Sequence, residues 1–156
     1  MSSGVSSGQS TGVGNSQLST ENYEYANKLA ELQAEIFTSN LTDAQKSTLS
    51  IVVNTVSQHL TDMDYSGVRR DIAGNPVPNG RGGYFDHIHE MKDSYKALTK
   101  AKRSLDGSLK NPNLGQREKA LLENALKTTN EHIKKIDELF KPYGGIDKWK
   151  KKSLIG

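Results

Sequence analysis

Thr42-Asp43-Ala44-Gln45-Lys46-Ser47-Thr48-Leu49-Ser50-Ile51-Val52-Val53-Asn54-Thr55-Val56 decides the fold class, because it can be read two ways. Its β-branched content would suit a strand. Yet Leu49, Val52, Val53, Val56 and Leu60 recur by threes and fours, which is the period of one helix face. Thr42 followed by Gln45 three residues later also matches a capping box, in which each side chain satisfies the other residue's backbone N–H. Spacing and length favour the helix.

The same period recurs on either side. A helix is expected over about residues 20–37, with Leu29, Leu32 and Ile36 on one side. Another opens behind Asp86 as N-cap and carries Ile88, Met91, Tyr95, Leu98, Leu105 and Leu109, until Asn111-Pro112-Asn113 breaks it. The next runs over about residues 116–140, with Leu122, Ala125, Thr129, Ile133, Ile136 and Phe140 facing inward, and Pro142 and Gly144-Gly145 end it. Residues 61–83 show no period and collect Asp62, Asp64, Gly67, Gly74, Pro76, Pro78, Gly80, Gly82 and Gly83. A loop that long inside a small domain is usually functional or disordered. The expectation is an all-α domain of about four helices with one long Gly/Pro-rich loop. Residues 1–19 are mostly Gly, Ser, Thr, Asn and Gln and read as a flexible linker, which leaves 20–156 as the folded domain.

Composition narrows the function classes. The 156 residues weigh 17.1 kDa, a one-domain length. Only 33% are hydrophobic and the mean hydropathy is −0.69, so the core must be economical. There is no cysteine, which excludes disulfides and thiolate metal sites. Apolar runs are a few residues long, so no segment is expected to span a membrane, and the N-terminal residues lack the basic and apolar regions of a conventional signal peptide. The net charge of +3 is uneven: −3 over residues 1–40, balanced over 41–83, and +6 over 84–156. A basic C-terminal half suits a polyanion such as nucleic acid, and equally a well-solvated helical surface.

Gly82-Gly83-Tyr84-Phe85-Asp86-His87-Ile88-His89-Glu90-Met91 holds the chemistry. His87 and Glu90, three apart, are neighbours on one helix face at about 5–6 Å between Cβ atoms. They lie on a stripe beside the apolar one, so the pair is not expected to serve packing. Free N–H groups and the helix dipole at this end would favour a phosphate. An imidazole there could take a proton from a ribose 2′-hydroxyl, while the carboxylate orients it or returns a proton to the leaving 5′-oxygen. Tyr84 and Phe85 offer faces for a base. The bland alternative is a solvated His and Glu at a helix start. Asp62 and Asp64 lie just past the end of the Leu49–Leu60 helix, where a carboxylate does nothing for that helix's dipole, and read by themselves as an ordinary polar loop.

Metal chemistry has a weaker basis. His87 and His89 point about 200° apart on a helix, and the His-Glu-x-x-His spacing is absent. An ion on Asp62, Asp64 and Glu90 has no motif behind it. Lys148-Trp149-Lys150-Lys151-Lys152 could be a phosphate-binding arm with one stacking residue, or a basic terminus.

Asn75-Pro76-Val77-Pro78, Gly82-Gly83-Tyr84-Phe85-Asp86-His87 and Glu90-Met91, in this order and spacing, resemble the type 28 RNase toxin domain of bacterial polymorphic-toxin systems. The similarity runs over about residues 60–146 and takes in Asp62-x-Asp64, Gly67 and the segment from Ile133 to Ile136. These domains form the C-terminal tips of contact-dependent growth-inhibition effectors. The resemblance implies an α-helical endoribonuclease, without cofactor, that is delivered by a larger secreted or cell-surface effector. It would cleave tRNA in the target-cell cytoplasm and be neutralised in its producer by a cognate immunity protein. It places the catalytic residues at His87, Glu90 and Asp64. Phe85, Tyr84, Arg81 and Lys92 are the candidate substrate contacts. The rivals are a metal-dependent nuclease using Asp62, Asp64 and Glu90, and a non-catalytic basic adaptor. Phe85 departs from the tryptophan of a relative, which keeps a stacking face and loses an N–H donor. Some relatives end in a Gly-Tyr-Gly-Ile carboxylate that docks into cysteine synthase. Here Tyr143-Gly144-Gly145-Ile146 is followed by ten further residues, so dependence on cysteine synthase is not expected.

Overall fold

The computed structural model describes residues 13–149, with side chains from residue 22 onward. The elements are α1 (Val13–Thr38), α2 (Asp43–His59), α3 (Asp62–Ile72), α4 (His87–Ser108), α5 (Gln116–Phe140) and two short 3₁₀ turns, Lys141–Tyr143 and Ile146–Lys148. Among the described residues, β pairing is limited to one isolated antiparallel bridge between Pro78 and Tyr84. The domain is all-α.

The chain divides into two compact units, residues 1–38 and 39–156. In the first, α1 begins at Val13 instead of about residue 20, so the helix takes in residues 13–19 of the expected linker. Gly14 is the one strong helix breaker in that stretch, and a single glycine costs only about 1 kcal/mol. Residues 1–12 of that linker lie outside the described residues. Of the expected apolar face, Ile36 is buried, Leu29 is half-buried and Leu32 is exposed.

In the second unit α4 is the central element and packs against α2, α3 and α5. The Thr42–Gln45 capping box is formed: Thr42 Oγ1 accepts from Gln45 N at 3.1 Å and Gln45 Oε1 from Thr42 N at 3.0 Å. The helical reading of α2 therefore holds, with Leu49 and Val52 buried. The core gathers Leu60, Tyr65, Val68, Ile88, Met91, Leu98, Ile136, Phe140 and Ile146. Truncating any one of its Leu, Ile or Met members to alanine would cost roughly 2–5 kcal/mol.

The expected long loop is the main correction. Asp62–Ile72 is a helix, α3, additional to the four expected. A second capping box starts it: Asp64 Oδ2 accepts from Thr61 N at 2.9 Å and Asp64 N donates to Thr61 Oγ1 at 3.3 Å. Tyr65, Val68 and Ile72 then supply an apolar stripe by threes and fours. Asp62 and Asp64 accordingly sit in the first turn of a helix, where a carboxylate is favourable to the dipole. They do not merely follow α2.

What stays irregular is residues 73–86. Here Asn79 Oδ1 accepts from Arg81 N at 2.8 Å and from Gly83 N at 3.2 Å. Gly80 and Gly82 take positive φ, at 78° and 85°, which lets the chain fold tightly around that side chain. Asn79 N to Gly83 O and Phe85 N to Val77 O close the turn and deliver Tyr84, Phe85 and Asp86 to the start of α4.

Candidate active site

The start of α4 is held by two carboxylates. Asp86, the N-cap, accepts from His89 N at 2.9 Å. Asp71, in the last turn of α3, reaches across with Oδ2 to accept from His87 N at 2.8 Å and Ile88 N at 3.3 Å. Glu90 N bonds back to Asp86 O at 3.4 Å. The N–H groups of the first turn are thus all taken, and the expected phosphate niche on free backbone donors is not there. The sequence could not reveal this, because Asp71 lies sixteen residues upstream of His87.

His87 is seated more deeply than its solvated stripe suggested. Its side chain is 16% exposed and that of Asp71 is 9% exposed. A Cβ on Gly67 would lie 2.6 Å from each of Cγ, Cδ2 and Nε2 of the ring. The imidazole therefore lies flat on α3 where that helix has no side chain. His87 Nδ1 faces Asp71 Oδ1 at 4.0 Å, and neither of these two buried atoms has a hydrogen-bond partner. The Phe85 ring stands beside the imidazole, with centroids 5.8 Å apart and planes tilted by 54°.

The other expected residues fall at different distances from this centre. Glu90 is exposed, one turn along α4 on the His87 side, and forms no side-chain bond among the described residues. Asp64 is half-buried and holds Thr61 through both its backbone N–H and its hydroxyl, the latter at 2.8 Å. On α3, Asp64, Gly67 and Asp71 recur at i, i+3 and i+7 and share one stripe, so Asp64 lies one turn before the glycine under His87. Tyr84 is 63% exposed and Phe85 48%. Arg81 is exposed at the turn organised by Asn79, and Lys92 points elsewhere, its Nζ 3.5 Å from the Trp149 carbonyl. Among the described residues no group of three or more His, Asp or Glu converges as a metal site, so Asp62, Asp64 and Glu90 do not form one.

Two residues of this arrangement were not singled out as site residues, Asp71 and Gly67. Once α3 is recognised as a helix, the Asp64–Gly67–Asp71 stripe is the signal that finds them.

A second polar pair braces α3 on another face. Tyr65 Oη lies 2.7 Å from His132 Nδ1 on α5, the two rings are stacked at 5.9 Å, and Lys135 Nζ lies 4.1 Å above the Tyr65 ring. Burial, and then the charge of Lys135, holds the His132 imidazolium below the ordinary histidine range. Burial likewise pushes the Tyr65 phenol up. At the C-terminal end Tyr95 donates to Asp137 Oδ1 at 2.7 Å, which raises its phenol to about 12.

Ile146 is 2% exposed within the same core as Ile88 and Met91. Ile146 is therefore part of the packing beneath α4. No helix among the described residues is long and apolar enough to cross a membrane.

Residues 40–142 match the model of the family described as bacterial toxin 28. A curated relative, the tRNA nuclease CdiA of Escherichia coli O6:K15:H31 (strain 536 / UPEC), is 32% identical over 112 residues. That match covers 72% of this chain and 3% of the relative, so the chain spans a small part of that protein's length. The family model takes in α2 to α5 with the loop that carries the site, and the chain belongs to the bacterial toxin 28 family.

Proposed function

We propose that this chain is an antibacterial toxin domain that cleaves tRNA as a metal-independent endoribonuclease. The observation that carries the reading is the His87 imidazole, held flat on Gly67 with a carboxylate on one side and an aromatic face on the other. In this reading His87 takes the proton of a ribose 2′-hydroxyl. The 2′-oxygen attacks the adjacent phosphorus, and the 5′-oxygen leaves with a proton from Glu90 or Asp64. The products are a 2′,3′-cyclic phosphate and a 5′-hydroxyl. Each proton transfer of this kind is worth about 10²–10⁴ in rate. Phe85 and Tyr84 stack a base, and Arg81 meets a phosphate. Lys92 joins it only if substrate draws its ammonium from the Trp149 carbonyl. The identity with a tRNA nuclease supports tRNA as the substrate class.

Delivery follows the same reading. The domain is carried as the C-terminal part of a larger effector, acts in the target-cell cytoplasm, and is blocked in the producer by an immunity protein that is acidic where it meets Arg69, Arg70, Arg81 and Lys92. Cysteine synthase is not required. The supporting observation is that Ile146 is buried in this chain's own core. The test is incubation of the purified protein with total RNA, with and without EDTA, and mapping of the cut ends. Cyclic phosphate ends in tRNA, unchanged by EDTA and abolished by His87→Ala with the fold intact, are expected. Cleavage that stops in EDTA and returns with Mg²⁺ would overturn metal independence. Uncut RNA would overturn the nuclease reading altogether.

A further inference from the structure

We infer that Asp71 is a positioning residue for His87, fixing which ring nitrogen carries the proton; this rests on the reading of His87 as general base. Two buried polar atoms, Asp71 Oδ1 and His87 Nδ1, face each other at 4.0 Å, and neither has another partner. A carboxylate oxygen can only accept. The arrangement is satisfied when Nδ1 carries the hydrogen and the ring closes by about 1 Å, to ordinary hydrogen-bond distance. Catalytic hydrogen bonds often tighten in this way only once substrate is bound. The tautomer so selected leaves the lone pair on Nε2, which a base needs.

The carboxylate is not free to swing away. Its other oxygen, Oδ2, holds the backbone N–H groups of His87 and Ile88. One side chain therefore fixes the backbone of the catalytic turn and orients the imidazole that projects from it. Gly67 completes the seat, because any side chain there would collide with the ring. Asp71 acts through His87 and needs no contact with substrate.

The test uses D71N in the full chain. The amide oxygen can still accept from the two backbone N–H groups, while the amide nitrogen presents a donor to Nδ1 and favours the hydrogen on Nε2. The kcat for tRNA cleavage should fall by about 10²–10⁴ with KM little changed. Side-chain ¹⁵N spectra should show Nδ1–H in the wild-type His87 and Nε2–H in D71N. Gly67→Ala, which leaves Asp71 in place and dislodges the ring, should lower kcat and lose the Nδ1–H signature. Wild-type kcat in folded D71N would overturn the inference, as would an Nε2–H wild-type ring, and the latter measurement decides the matter even if D71N does not fold. An active His87→Ala protein would instead overturn the reading of His87 as base. That outcome is distinct from an inactive His87→Ala beside an active D71N.

Discussion

Ile146→Ala removes three carbons from a side chain that is 2% exposed and packed in the core beneath the first turns of α4. At about 0.8 kcal/mol per buried methylene, the lost transfer energy alone is roughly 2.4 kcal/mol. The cavity left behind adds to this, and measured truncations of such residues span roughly 2–5 kcal/mol. Ile146 enters from a short 3₁₀ turn near the end of the described chain, where neighbours can relax inward. A loss of about 2–3 kcal/mol is therefore expected. Equilibrium urea unfolding followed by circular dichroism reads it directly. With slopes of about 1–3 kcal/mol per molar urea, the midpoint should fall by about 0.7–3 M. Ile51→Ala on α2, where the side chain is 46% exposed, is the control and should stay within about 0.5 kcal/mol. An Ile146→Ala loss as small as the control's would refute the claim that Ile146 belongs to the core.

Thr61→Ala removes the N-cap of α3 and one partner of Asp64, and should cost about 0.5–2 kcal/mol in the same unfolding assay. His132 predicts a pH dependence. Its folded value lies below the ordinary 6.5, so the unfolded chain takes up the proton first. Stability is then complete above the unfolded value and declines as pH falls through 6.5 toward the folded value. Thermal melts from pH 7.5 down to 5 should show this decline, and His132→Gln should flatten it. An equal slope in the variant would show that another group is responsible.

The readable parts of the fold were those whose sequence repeats a local physical signal. In α2 the Thr42–Gln45 box and the Leu49–Val52–Val56 spacing agree with each other, and α4 and α5 have long apolar stripes with a clear break between them. Helix α3 escaped because Asp62-Met63-Asp64-Tyr65-Ser66-Gly67-Val68-Arg69-Arg70-Asp71-Ile72 is polar and holds a glycine, which in a short stretch reads as loop. Its own capping box, Thr61 with Asp64, was overlooked because an Asp stands where Glu or Gln is usual. The candidate site divides in the same way. Local spacing pointed to His87 and Glu90. The seat of His87 comes from another helix: Gly67 for its missing side chain, and Asp71 for a carboxylate that reaches back to backbone N–H groups. Such tertiary partners leave no periodic trace in the chain around His87.

The start of α4 already holds the anions it can accommodate, those of Asp71 and Asp86. A helix end neutralised from within offers an incoming phosphate no attraction, and the two carboxylates would repel one brought close. In the proposed reading, grip on a polyanion comes from cationic side chains such as Arg69 and Arg81, both exposed. Docking and bond breaking therefore fall, in that reading, to different side chains. Neutralising a surface arginine should weaken the hold and flatten its salt dependence. Altering the α4 turn should instead slow the reaction of a substrate that is still held.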